Sequence, residues 1–193
     1  MPKFSPISII KRSTKTLARN QTIPLNKALE SVATSSGFSD FHEMTAVAKK
    51  SSQESRLTKA AFGLSDLGSA VFEDEIDFAL DSLLEEELSG AIAETNAYNF
   101  SLQSIDVGST HYDEHVGILT LNAELEYCGD QDPDRPYHGT SFFIKAEIRL
   151  KWTSDGWELL EDEPLTIESC TTDADKDREA EMDWLYEESQ RQN

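Results

Sequence analysis

The sequence predicts an α+β fold. A small three-helix module opens the chain, a long amphipathic helix then packs on a four- or five-stranded antiparallel β-meander, and an acidic helix or tail closes it. Two patterns carry this expectation. Apolar residues recur at helical spacing up to about residue 93 and alternate at strand spacing from about 98 to 167. Charge divides along the chain as well. Residues 1–60 hold ten basic and four acidic side chains, a net +6, while the other 133 residues hold seven basic and 33 acidic ones, a net −26. With 38% apolar and 28% charged residues, the composition excludes both a wholly disordered chain and a membrane-embedded one. The boundaries expected from these shifts are a basic helical module over 1–50, a linker over 51–68, an α+β domain over 69–170 and the acidic tail over 171–193.

The first helix is expected from Ser8 to about Arg19, with Ile10, Leu17 and Ala18 inward and Lys11, Lys15 and Arg19 recurring every four residues on another face. In the second, Leu25, Ala28, Leu29, Val32 and Ala33 follow the spacing of a one-sided buried helix. Gly37 suits the left-handed residue that ends such a helix, and Phe38 the apolar contact after it. Asp40 and Glu43 have capping-box spacing before the third helix, whose buried face is Phe41, Met44, Val47 and Ala48 and whose last turn carries Lys49 and Lys50.

The run KRSTKTLARNQTIPLNKALESVATSSGFSDFHEMTAV, Lys11 to Val47, resembles the short "glyoxalase-related" helical module of plasmid, phage and other mobile-element proteins. It matches that pattern at Leu17, Ala28, Leu29, Glu30, Ala33, Gly37, Phe38 and Asp40, and departs where Phe41 replaces the usual Trp and Met44 the usual Leu. The resemblance implies a docking module and no glyoxalase chemistry, since a short helical stretch with His42 alone cannot build that metal site.

After the SSQESR linker, a short helical turn around Leu57–Phe62 and a GLSDLG loop, the strongest helix is expected from Ser69 to about Ala93. Phe72, Ile76, Ala79 or Leu80, Leu83, Leu84, Leu88 and Ala91 or Ile92 line one face, and Glu73, Asp74, Glu75, Asp77, Asp81, Glu85, Glu86 and Glu87 the other. Strands follow. Tyr98, Phe100 and Leu102 alternate, then Ile105 and Val107 in the opposite phase, which suggests a bulge at Gln103 and Ser104. A polar turn, GSTHYDE, precedes a strand with Leu119, Leu121, Ala123, Leu125 and Tyr127 inward. The next strand turns Phe142, Ile144, Ala146, Ile148, Leu150 and Trp152 inward, and a TSDG turn leads to Trp157 and Leu159, then to Leu165 and Ile167. In outline this resembles cystatin or NTF2 architectures. The tail has a weak apolar face of Met182, Leu185 and Tyr186, with Trp184 beside it.

No residue pattern rises to a catalytic signature, so no catalytic residue, metal or cofactor is assigned. His111 and His115 fall in a turn, where four-residue spacing does not bring side chains together. Asp130, Asp132 and Asp134 match the start of a calcium loop, but Arg135 stands at its glycine position and Ser141 at its glutamate position. Cys128 and Cys170 read as free thiols. With no apolar window of about 18 residues, a cytoplasmic chain without membrane contact is expected.

The leading expectation is a non-enzymatic accessory or regulatory binding protein of a mobile element. Lys11, Arg12, Lys15, Arg19, Lys49 and Lys50 would contact nucleic-acid phosphates, an acidic partner or the chain's own acidic domain. Glu73, Asp74, Asp77, Asp81 and Glu85 would form a face for a protein partner. The alternative is an acidic DNA mimic of the anti-restriction or anti-CRISPR type, occupying the basic groove of a nucleic-acid-binding protein.

Overall fold

The structure, a computed structural model, describes residues 2–191, so the first residue of the expected basic module and the last two of the expected tail lie outside the described residues. The chain divides into two compact units. One comprises Met1–Ile76, Thr110–Thr120 and Arg149–Leu160, and the other Asp77–Ser109, Leu121–Ile148 and Glu161–Asn193.

The first unit begins with helices α1 (Pro6–Asn20), α2 (Leu25–Ser35), α3 (Phe41–Lys50) and α4 (Ser55–Phe62). Their shared core is Ile7, Ile10, Ala33, Phe38, Met44, Ala48 and Leu57. The joints are satisfied in the manner the sequence implied. Gly37 sits at φ +81°, and the Gly37 and Phe38 N–H groups donate to the Thr34 and Ala33 carbonyls at 3.1 and 3.0 Å, closing the end of α2. At the start of α3 the Asp40 carboxylate accepts from the Glu43 N–H at 2.7 Å. The Glu43 carboxylate reaches one residue further back than a capping box requires, to the Ser39 N–H at 2.6 Å and to the Ser39 hydroxyl. These bonds hold the Glu43 carboxyl below its ordinary range. Glu30 of α2 accepts from the Phe41 N–H at 3.0 Å, so a second helix supplies another cap.

Three expectations change here. The segment assigned to a linker contains α4, because Leu57 is fully buried and Arg56 ties the helix to the α2 end, donating to the Gly37 carbonyl at 2.9 Å and lying 4.2 Å from the Phe38 ring centroid. The module therefore has four helices rather than three. Leu17 and Leu25, expected inward, are 39% and 41% exposed.

The long helix expected from Ser69 is three pieces: a 3₁₀ turn (Leu67–Phe72), α5 (Asp74–Glu87) and α6 (Ser89–Glu94). Glu73 is extended, at ψ 133°, which separates the first two and leaves Phe72 55% exposed instead of inward. Leu88 interrupts the second pair, followed by Ser89 and Gly90, both poor helix formers. Ile76, Leu80, Leu84 and Leu88 are buried as the apolar spacing required.

One antiparallel sheet contains β1 (Ala97–Asp113), β2 (Ile118–Gln131), β3 (Ser141–Trp152), β4 (Trp157–Leu159) and β5 (Leu165–Thr172), so the α+β class holds. Its order is β1-β2-β3-β4, with β5 also paired to β3. The two short strands share one edge of β3. Leu150, Lys151 and Trp152 pair with β4, Phe142 to Ile148 pair with β5, and the β5 register shifts between Lys145 and Ala146. The inward rows of β2 and β3 are buried from Leu119 to Tyr127 and from Phe142 to Leu150. On β1, consecutive exposed residues Gln103 and Ser104 mark the phase change. The GSTHYDE turn is a correction. Residues 108–113 continue β1, and Tyr112 is buried against Phe62 and Trp157, with ring centroids 5.3 and 5.8 Å away.

In the second unit, α5 is tied to β1 by the Leu102 N–H, which donates to Asp81 Oδ1 at 2.7 Å. Phe100 stacks on Tyr127 with ring centroids 5.7 Å apart. The tail is helix α7 (Asp173–Arg191), and its start is well capped. Thr172 and Asp175 form a reciprocal box: the Thr172 hydroxyl donates to Asp175 Oδ2 at 2.8 Å, and the Asp175 N–H donates back to that hydroxyl at 3.0 Å.

Candidate functional site

The first unit contains a groove of about 660 Å³. Its wall begins with the residues that precede α1. The Phe4 N–H donates to the Glu114 carbonyl at 2.9 Å, and the Phe4 carbonyl accepts from the Tyr112 hydroxyl at 2.8 Å. The Phe4 ring lies directly over Gly117, where a Cβ would stand 2.8 Å from it, so that position has room only for glycine. Burial, and then the Glu114 and Asp113 carboxylates, push the Tyr112 phenol well above its usual range and keep it a donor.

The rest of the groove comes from distant parts of the sequence. Phe4, Ile9, Ala61 and Trp152 give it an apolar floor. Lys3, Arg12 and Lys151 bring three cations, and Ser13, Thr16, Thr153 and Ser154 bring hydroxyls. No lining residue is acidic, in a chain with 37 acidic residues against 17 basic ones. Among the described residues, none of the three cations is paired with a carboxylate. Lys3 and Arg12 instead lie 4.8 and 5.9 Å from the Phe4 ring centroid, and Arg12 donates to the Lys3 carbonyl at 3.0 Å. Trp152 is braced edge-on by Phe62 and Trp157, at centroid distances of 4.9 and 5.0 Å.

Of the basic residues read from sequence, only Arg12 lines this groove. Lys11, Lys15 and Arg19 are exposed on an adjacent face of α1, with Lys11 5.8 Å from the Phe41 ring centroid. Lys49 and Lys50 are exposed in the last turn of α3. Lys3, Lys151 and Trp152 were missed as site residues because Trp152 was assigned inward and the others carried no helical period. A signal existed in Lys151-Trp152, a cation beside a large ring just before a turn.

The acidic residues are dispersed by the break in the long helix. Asp74, Asp77 and Glu85 are exposed on α5, and Glu73 is half-buried ahead of it. Burial, reinforced by the neighbouring Glu75, raises the Glu73 carboxyl. Asp81 is half-buried and engaged by the Leu102 amide. At helical spacing Phe78 falls among Asp74, Asp77 and Glu85, and it is 76% exposed. The sequence reading passed over it.

The aspartates that resembled a calcium loop are engaged locally. Asp132 accepts from the Asp134 N–H at 2.9 Å and pairs with Arg135 at 3.4 Å, while Asp130 accepts from Asn99 at 3.4 Å. Asp173 is a clasp: it accepts from the Tyr137 hydroxyl at 2.6 Å and from the Thr140 hydroxyl and N–H at 3.0 and 3.1 Å. Burial alone would raise this carboxyl, but those donors outweigh it and hold the group below its ordinary range. The same bond pushes the Tyr137 phenol up to about 12. Cys128 and Cys170 are free, and burial raises both thiols. Among the described residues, no three His, Cys, Asp or Glu side chains converge to hold a metal ion, and no helix is long and apolar enough to cross a membrane.

No protein-family model matches the chain, and no curated protein matches it. The crystal structure of the intermembrane space region of the chloroplast protein ARC6 aligns over 66% of this chain and 94% of its own, at 14% identity and a TM-score of 0.28. At that score the likeness carries no argument for fold or function.

Proposed function

We propose that the chain is a non-enzymatic binding protein of the cytoplasm, an accessory of a mobile genetic element, whose basic N-terminal module and adjoining groove dock on an anionic partner. The observation that carries this reading is the groove, lined by three cations that, among the described residues, are paired with no carboxylate, in a chain of net charge −20. The exposed Lys11, Lys15 and Arg19 extend the same positive field along α1. The resemblance of residues 11–47 to the mobile-element module supports the setting. On the acidic side, Phe78 among exposed carboxylates has the make-up of a protein-partner surface, an aromatic anchor in a polar rim.

A polyanion column tests the docking role, because a chain with a pI of about 4.4 has no reason to bind one unless its cations act as a group. The full-length protein is expected to stay on immobilised heparin at about 50 mM salt and to leave below about 0.5 M, as screening shortens the field. The double substitution Arg12→Ser with Lys151→Ser should elute markedly earlier. Flow-through of the unmodified protein at low salt would refute the reading. A second reading, an acidic DNA mimic, draws on the run of carboxylates at the start of α5, where burial and then the neighbouring Glu75 lift Glu73. It requires salt-sensitive competition with DNA for a basic partner.

A further inference from the structure

We infer that the groove is a nucleotide site, with a base laid on the Trp152 indole and its phosphate held by the rim of Lys3, Arg12 and Lys151. The inference rests on the docking role proposed above and adds the chemistry of the ligand. Four observations lead to it. The lining favours an anion through its three cations, while its hydroxyls are already engaged, those of Thr153 and Ser154 donating to the neighbouring Glu158 and Asp155 carboxylates at 3.0 and 3.3 Å. The apolar part of the lining contains two flat rings, Phe4 and the larger Trp152, so the anion that fits best carries a flat ring of its own. The indole is fixed in place, because Phe62 and Trp157 brace Trp152 at 87° and 66° and leave little freedom to be lost on stacking. The volume, about 660 Å³, lies within the roughly 300–1,000 Å³ of small-ligand sites and suits one or two nucleotide units.

An acidic peptide is the other anion with apolar parts. It would also bring main-chain amides that need partners, and the lining offers side chains of α1, α4 and the end of β3, where Lys151 and Trp152 are already paired with β4. The nucleotide suits the apolar and the cationic lining at once. Its ring takes the apolar lining and its phosphate the cations. The unit could come from a free mononucleotide or from a single strand, so both are tested.

The test is fluorescence anisotropy on the full-length protein with a labelled 12-residue oligo(dT), an abasic strand of the same length, and dTMP as competitor. The base-bearing strand is expected to bind at least about tenfold tighter than the abasic one, the size of a single stacking contact. Its affinity should fall with salt at a log–log slope near −2, from three cations on a single strand. Trp152→Ala should reduce oligo(dT) to the abasic level without weakening the abasic strand, and Trp152→Phe should retain part of the difference. Because Trp152 packs on two rings, circular dichroism must show that each variant is folded. Arg12→Ser with Lys151→Ser, which spares those ring contacts, gives a second route: both strands should weaken and the slope should flatten. Lys11→Ser, Lys15→Ser and Arg19→Ser together should leave the base-dependent difference intact. Displacement by dTMP assigns the site to free nucleotide, and lack of displacement assigns it to the strand. Equal binding of the two strands would overturn the nucleotide site while leaving the anionic docking role standing. No binding of either strand, on a protein that heparin retains, would also overturn the nucleotide site alone; failure of both would overturn both.

Discussion

Gly117→Ala should be one of the most destabilising single-atom additions in the first unit, and its cost can be worked from two independent sources. Gly117 has φ +78°, the left-handed region, where a residue with a Cβ loses about 1–2 kcal/mol. The added Cβ would also stand 2.8 Å from Cγ and Cδ1 of Phe4 and 3.2 Å from Cδ2, so the ring must retreat by roughly 0.7 Å to reach ordinary contact near 3.5 Å. That retreat is resisted at both ends of the residue, by the bonds to the Glu114 carbonyl and from the Tyr112 hydroxyl. Overpacking of this kind costs about 1–3 kcal/mol, for a total of about 2–5. Urea unfolding followed by tryptophan fluorescence measures it. Phe4→Ala separates the two sources, because with the ring gone only the backbone term remains. Gly117→Ala should then cost about 1–2 kcal/mol, and the cycle should show a coupling of about 1–3. If Gly117→Ala costs under about 0.5 kcal/mol, or costs the same with and without the Phe4 ring, the assignment of Phe4 as a clamped groove wall is wrong.

Three other perturbations have a defined sign. Among the described residues the buried Tyr127 hydroxyl has no hydrogen-bond partner, so Tyr127→Phe should leave stability unchanged or raise it by about 1 kcal/mol; a loss above about 1 kcal/mol in urea would show that the hydroxyl is satisfied. Asp173 has its carboxyl lowered from 3.8 by the clasp, so its stabilisation is present above that value and disappears as pH falls through the lower native one. Asp173→Asn should flatten this part of the acid-unfolding curve and speed hydrogen exchange at Thr140, and an unchanged acid slope would refute the clasp. Glu73 has the opposite sign, its carboxyl being raised from 4.5. It favours the folded state below that value and loses this as pH rises through the native one, so Glu73→Gln should stabilise at pH 7 and change little at pH 3; destabilisation at pH 7 would contradict the crowding with Glu75.

What could be read from the sequence was whatever depends on near neighbours. The alternation from Leu119 to Tyr127 and from Phe142 to Leu150 fixes which side of each strand is inward, since the period of two allows no other assignment once one face is apolar. The Gly37–Phe38 stop and the Asp40–Glu43 start are equally local. The misses involve distance. Leu57 belongs to the core of α1 through partners about 50 residues earlier, so the short helical turn expected at Leu57–Phe62 gave no local sign of joining that core. Tyr112 sits in a polar run, and only Phe62 and the Phe4 carbonyl explain its burial. The groove draws on Phe4, Arg12, Ala61 and Trp152, four places with no shared period, and so left no pattern to read. Charge was legible in sum but not in use. Asp81 looked like one more solvated carboxylate and proves to be bonded to a main-chain amide.

That bond bears on how the protein avoids aggregation. β1 ends the strand order, so among the described residues one side of this 17-residue strand has no strand neighbour and resembles the template on which foreign strands add. Asp81 occupies the Leu102 amide, so that donor is not open to an added strand. A carboxylate that the charge map would count toward recognition thus acts as a guard. Its removal would be felt first as strand-on-strand polymerisation at high concentration, before any loss of binding.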